Sequence, residues 1–228
     1  MKLTDKTAVI VGGSQGIGRA LAEGLIDQGA NVIVASRTKE TVERTAKEIG
    51  AKPFVVDVRD EQGLRDLASF AIDTFGGVNL WVNSAGLFKK FPKGDLLDMD
   101  RAHEMFDVNF FGAVLGSRTA LLNMDDGAVV NILSSAALDA RRSVGAKLYA
   151  ASKWALRGYV DALRSENEGG AVQILSVYPG GTKSHLHDEA LPDEFPNFME
   201  PEYVVGKIIA NLQLDQPEPD LIIKRPTV

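Results

Sequence analysis

The sequence predicts an α/β fold: a single doubly wound parallel sheet of about seven strands, with helices on both faces. Two patterns carry that expectation. Short apolar runs alternate along the chain with longer stretches whose apolar residues recur at helical spacing. The first such unit passes from strand to helix through Gly12, Gly16 and Gly18, residues that permit a tight turn and close packing of helix on strand. Repeated strand–helix units of this kind close into a parallel sheet.

Each element has its own signal. Ala8–Val11 is apolar throughout and reads as the first strand, and Ala20, Leu21, Ala22 and Leu25 mark a helix near Gly16–Gln28. Asn31–Ala35 reads as the second strand, Thr38–Ile49 as a helix, Pro53–Val56 as the third strand and Glu61–Phe75 as a helix. Leu80–Asn83 is the fourth strand, and a loop from Gly86 to Leu97 leads into a long helix at Met99–Leu122. Val129–Leu133, helix Leu148–Ser165 and strand Val172–Val177 follow. Gly180–Met199, with its prolines and mixed charge, reads as a loop or lid. Glu-Pro-Glu opens a helix at Pro201–Leu212, and Leu221–Ile223 is the last strand. No linker or repeat divides residues 1–228, so one domain is expected.

Composition narrows the function. A chain of 228 residues, 45% hydrophobic, supplies a sizeable core. It has no cysteine, so thiolate metal sites, thiol nucleophiles and disulfides are excluded. A net charge of −6 argues against nucleic acid or an anionic membrane as the partner. Met1–Lys6 runs directly into the first strand without a signal-type apolar segment, and no run is long enough to span a bilayer. A cytoplasmic protein is the expectation.

Three groups of residues carry chemistry. The turn Gly12-Gly13-Ser14-Gln15-Gly16-Ile17-Gly18 places backbone N–H groups and a helix N-terminus where a pyrophosphate can sit, though its G-x-x-x-G-x-G spacing alone also fits a plain strand–helix turn. At the end of the second strand, Ser36 stands where an NAD site would carry a carboxylate, and Arg37 beside it can hold a 2′-phosphate. Lys39 is near enough to help or to be simple surface. Tyr149 and Lys153, four apart, share one helix face. An ammonium there lowers the phenol's pKa, so the tyrosine can trade a proton with a carbonyl oxygen. The preceding strand ends in Ser134-Ser135, whose hydroxyls can bind that oxygen. His185 and His187 lack an evident third ligand, so no metal is expected.

With the glycine turn and Tyr149-Ala-Ala-Ser-Lys153 taken together, the chain resembles the short-chain dehydrogenase/reductase family over nearly its whole length. The resemblance implies a Rossmann-type fold and a nicotinamide cofactor, with NADP(H) indicated by Ser36-Arg37. It implies that Asp57 contacts the adenine and Val58 packs on it, where the residues alone read Asp57 as a helix cap. Asn83-Ser84-Ala85-Gly86 resembles the family's Asn-Asn-Ala-Gly, so Asn83, Ala85 and Gly86 join the cofactor site. Ser84, and Val11 in place of the usual threonine, depart from the pattern. Asn109 inherits a helix kink and a water-holding role. Pro179, Gly180, Thr182 and Ser184 fall on the segment that holds the carboxamide. Ser135 is the implied oxyanion donor, one residue farther from Tyr149 than is usual, with Ser134 the lesser candidate and Ser143 a plain loop serine. The resemblance also implies pairing through Met99–Leu122 and Leu148–Ser165 into a homodimer or homotetramer. The reaction implied is carbonyl–alcohol interconversion on a small molecule. A non-catalytic NADP(H) sensor and a dehydratase or epimerase with the same residues stay open. The acidic Asp188, Glu189, Asp193 and Glu194 of the lid disfavour strongly anionic substrates.

Overall fold

The computed structural model describes residues 1–91, 98–142, 145–187 and 191–226. Ser143, Asp188 and Glu189, and the far part of the loop expected up to Leu97, lie outside the described residues. The strands are β1 (Thr7–Val11), β2 (Asn31–Ser36), β3 (Lys52–Val55), β4 (Leu80–Asn83), β5 (Gly127–Ile132), β6 (Val172–Pro179) and β7 (Asp220–Ile223). They form one parallel sheet in the order β3-β2-β1-β4-β5-β6-β7. The helices are α1 (Gly16–Asp27), α2 (Lys39–Ile49), α3 (Glu61–Phe75), α4 (Met99–Phe106), α5 (Gly112–Asn123), α6 (Lys147–Glu166) and α7 (Pro201–Leu212).

Both faces of the sheet are covered, which is why the strands are apolar without alternation. Ala8 and Ile10 of β1 pack with Leu21 and Leu25 of α1 and Val205 and Ile208 of α7. Val9 and Val11 point the other way, toward Leu64 and Leu67 of α3 and Ala120 of α5. Leu156 and Val160 of α6 join Ile174 and Tyr178 beneath β6. Each fully buried Leu or Ile contributes on the order of 1.5–3 kcal/mol. In register, Val11 faces Ala35 of β2 and Asn83 of β4, so the strand order reverses about β1. The crevice beyond the strand ends at this reversal is where such sheets take ligands.

Two expectations change in detail. The helix expected across Met99–Leu122 is interrupted by a π turn, Asp107–Phe111, between α4 and α5. The segment Gly180–Met199 is tied at its base by a parallel bridge from Thr182 to Met199, and carries short 3-10 turns at His185–His187 and Phe195–Asn197. Among the described residues no helix is long and apolar enough to cross a membrane.

Candidate active site

The glycine turn is shaped by what surrounds it. Gly12 and Gly16 have φ of +86° and +56°, values that side chains disfavour. A Cβ at Gly12 would lie 2.4 Å from the Ala85 nitrogen, and one at Gly18 only 2.2 Å from the Gly12 oxygen. The turn therefore presses on the end of β4 and on α1. No side chain caps α1, whose Gln15 N-cap is extended, whereas Asp60 and Asp98 cap α3 and α4. The N–H groups of the first turn of α1 thus face the crevice without a side-chain acceptor, as an anion site requires.

Above this turn the strand ends enclose a cleft of about 510 Å³. Gly12, Ser14, Gln15, Gly16 and Ile17 line it beside α1, and Ser36, Arg37, Asp57 and Val58 line it over β2 and β3. Ala85 and Gly86 border it after β4, and Ser135, Tyr149, Lys153, Pro179, Gly180, Thr182 and Ser184 border it over β5 and β6. The expected residues are thus largely brought together.

Three of them stand behind the wall instead. Gly18 packs α1 on the turn. Asn83 turns into the core: its Oδ1 accepts from Trp81 Nε1 at 3.0 Å, and its Nδ2 donates to Ser117 Oγ at 3.0 Å and Asn131 Oδ1 at 2.9 Å. The cofactor-binding expectation for the Asn83 side chain is corrected to one of holding the β4 turn. Asn109, 1% exposed, accepts from Leu87 N at 2.7 Å and donates to Leu87 O at 2.9 Å and Ser152 Oγ at 3.1 Å. The π turn swings this amide inward, and both its donors are engaged by protein groups. It clamps the loop after β4 to α6, so its side chain acts on the site through Leu87 and Ser152. Despite Val11 and Ser84, the β4 turn is secured by the main chain, Ser84 N donating to Val11 O at 2.8 Å.

At the β2 end, the Ser36 hydroxyl is buried without a protein partner. An orphaned hydroxyl here is one a nucleotide ribose or phosphate would satisfy. The Arg37 side chain is 64% exposed and lies 4.0 Å from Glu104, a cleft residue that the sequence reading missed because nothing in the α4 pattern shows which face meets the cleft. The Asp57 carboxylate is bound by Arg59 at 2.6 Å, which holds its pKa below the usual range. It does not cap α3; Asp60 does.

At the β5 end, Tyr149 and Lys153 are both buried, one turn apart on α6. Lys153 Nζ donates to the Ile132 carbonyl at 3.0 Å, and burial pulls the ammonium down to about 8. The Tyr149 phenol is pushed up from its ordinary value, chiefly by burial. Burial is the larger influence on the phenol, and the Lys153 ammonium is directed at the Ile132 carbonyl. The group working downward is Ser134, hydrogen-bonded to the phenol.

That influence sets Ser134 beside Ser135 as a candidate, and both line the cleft. Ser135 is exposed at the start of a 3-10 turn, Ser135–Ala137, while the half-buried Ser134 caps that turn, accepting from Ala136 N at 3.1 Å, and meets Tyr149. Ser134 lies two residues beyond the end of β5, after Leu133, whose N–H still pairs with Val177 of β6. Ser134→Ala is expected to slow turnover by roughly 10–10³-fold and Ser135→Ala by much less, measured as kcat on one carbonyl substrate. The reverse order would assign the role to Ser135.

Thr182 stands where the resemblance puts a carboxamide contact. The bridge at the base of its segment uses Gly181 O and Lys183 N, leaving the N–H and C=O of Thr182 itself out of that pairing.

A glycine turn at the reversal of a parallel sheet, with a Tyr–Lys pair on the helix after β5, defines an oxidoreductase of the dinucleotide-binding α/β class. Residues 6–194 match the short chain dehydrogenase family, and the chain belongs to it. An uncharacterised oxidoreductase of Staphylococcus aureus (strain USA300) is 32% identical over 184 residues, 78% of each chain. Another from Bacillus subtilis, YxnA, is 29% identical over 97% of this chain, which spans 66% of the length of that relative. Among solved structures, a short chain dehydrogenase from Burkholderia cenocepacia in complex with NADP superposes with a TM-score of 0.85, at 24% identity, covering 98% of both chains. An alcohol dehydrogenase from Thermococcus sibiricus complexed with 5-hydroxy-NADP gives 0.82, at 24% identity, covering 98% of this chain and 99% of that one. These two likenesses establish the fold.

Proposed function

We propose that the protein is an NADP(H)-dependent reductase that interconverts a ketone or aldehyde and an alcohol. The observation that carries the reading is the convergence of Tyr149, Lys153 and Ser134 at one end of a cleft whose other end holds Ser36 and Arg37. The NADP complexes of the fold neighbours from Burkholderia and Thermococcus support the choice of cofactor. The uncapped N-terminus of α1 would hold the pyrophosphate, and Ser36 and Arg37 the 2′-phosphate. When bound, the nicotinamide supplies a hydride to the carbonyl carbon. Tyr149 gives its phenolic proton to the carbonyl oxygen as charge builds there, and Ser134 donates a hydrogen bond to the same oxygen. Lys153 stabilises the phenolate left behind. Asn109 keeps Leu87 and α6 in place.

The test is NADPH oxidation followed at saturating enzyme-bound cofactor against a panel of ketones, aldehydes and quinones. Turnover on none of them, with NADPH bound, would favour the sensor reading. For the cofactor, NADPH should bind at least about tenfold tighter than NADH, since a charge-assisted contact is worth roughly 1.5–3 kcal/mol. Ser36→Asp should erase or reverse that preference; equal wild-type affinities by calorimetry would remove the NADP assignment.

Self-association belongs to the same reading. Phe111 on the π turn, Leu122 on α5 and Trp154 on α6 are exposed at 53%, 74% and 42%. Light scattering should report a multiple of 24.6 kDa at micromolar concentration. A mass of one chain would remove pairing through these helices and leave catalysis untouched.

A further inference from the structure

We infer that the substrate is an uncharged carbonyl compound whose carbonyl carries an aromatic or branched aliphatic group, and that carboxylates and phosphates are excluded. The inference rests on the reductase reading and concerns the part of the cleft beyond Tyr149. Leu87 and Phe88 enter it from the loop after β4, Ala136 and Ala146 from the β5–α6 connection, and Leu186 and Phe198 from the segment after β6. All six are apolar and come from three separate stretches of chain. Phe88 is 8% exposed and meets the Tyr149 ring edge-on, with centroids 5.2 Å apart and planes at 68°. Phe88, Ala146 and Tyr149 form one apolar cluster with the fully buried Met105, and Leu87, Ala136 and Leu186 pack on it. The acid therefore stands in an apolar wall.

Charge is distributed to match. Among the described residues, the Lys and Arg side chains that line the cleft are Arg37 and Lys153. Arg37 lies at the end of β2, three strands along the sheet from β5. Lys153 is 4% exposed with its Nζ on the Ile132 carbonyl, behind the tyrosine. His185 also lines the cleft and is exposed. A carboxylate brought beside Phe88 and Leu186 would lose water and meet neither Arg37 nor the Lys153 ammonium, whereas a phenyl or branched alkyl group would replace water on apolar surface. The polar groups that remain beside the Tyr149 hydroxyl, Ser134 among them, suffice to orient one carbonyl oxygen.

The test uses the wild-type chain with NADPH and matched probes, benzaldehyde against 4-carboxybenzaldehyde and ethyl benzoylformate against benzoylformate. Each neutral probe is expected to exceed its carboxylate by at least about 100-fold in kcat/KM. Leu186→Lys, which sets an ammonium in the apolar wall, is expected to narrow that ratio by at least about tenfold. Equal or better turnover of the carboxylates by the wild type overturns this inference and leaves the reductase reading standing. Turnover of no carbonyl compound at all, with NADPH binding intact, overturns the reductase reading and this inference with it.

Discussion

Tyr149→Phe is expected to leave NADPH binding close to wild type while turnover falls by at least roughly 10²–10⁴-fold, the range typical of a lost general acid. The substitution removes one hydroxyl and keeps the ring, so the edge contact with Phe88 and the packing against Met105 persist. What is lost is the proton source set in the apolar wall of the cleft. Titrating NADPH by fluorescence and measuring kcat on a substrate from the carbonyl panel separates the two effects. If the variant binds NADPH and reduces the substrate as fast as wild type, the acid lies elsewhere and the catalytic assignment is wrong. If the wild type binds NADPH and reduces nothing, the sensor reading takes its place.

Lys153→Met is expected to lower both cofactor affinity and turnover, the latter again by roughly 10²-fold or more. Methionine keeps the length and loses the charge, so a buried ammonium that donates to the Ile132 carbonyl disappears. A pH profile gives the same residue a second signature. The Lys153 ammonium titrates at about 8, so it is charged below that value and neutral above it. A function that needs the ammonium is present at pH 6–7 and is lost as pH rises through about 8. The quantity to follow is kcat/KM for NADPH, which reports groups of the free enzyme. It should fall above about pH 8 in the wild type and lose that limb in Lys153→Met. A wild-type profile flat from pH 6 to 10 would remove Lys153 from cofactor capture.

Much of this was legible in residues close together in the chain. A run such as Val9–Val11 is apolar on every residue because both faces of a parallel strand are buried, and that leaves its mark without reference to any partner. Gly12 and Gly16 are demanded by positive φ, and Tyr149 and Lys153 share a face by helical spacing alone. The less patterned connections were not legible to the same degree. Between β5 and α6 the chain passes through short 3-10 turns, and counting residues back from Tyr149 favours Ser135, while the packing of that turn leaves Ser135 exposed and Ser134 half-buried.

The sequence by itself determined the order of strands and helices, the glycine turn and the Tyr–Lys pair, because each depends on local periodicity or on backbone angles that few residues can adopt. The tertiary structure alone decided which way side chains face and what their surroundings do to them. It turned Asn83 into the core, set Asn109 to clamp Leu87, brought Glu104 within 4.0 Å of Arg37, and buried Tyr149 so that its pKa rises where an adjacent lysine alone would lower it. Desolvation and hydrogen bonding between segments many residues apart depend on how the chain packs, and no single stretch of sequence encodes them.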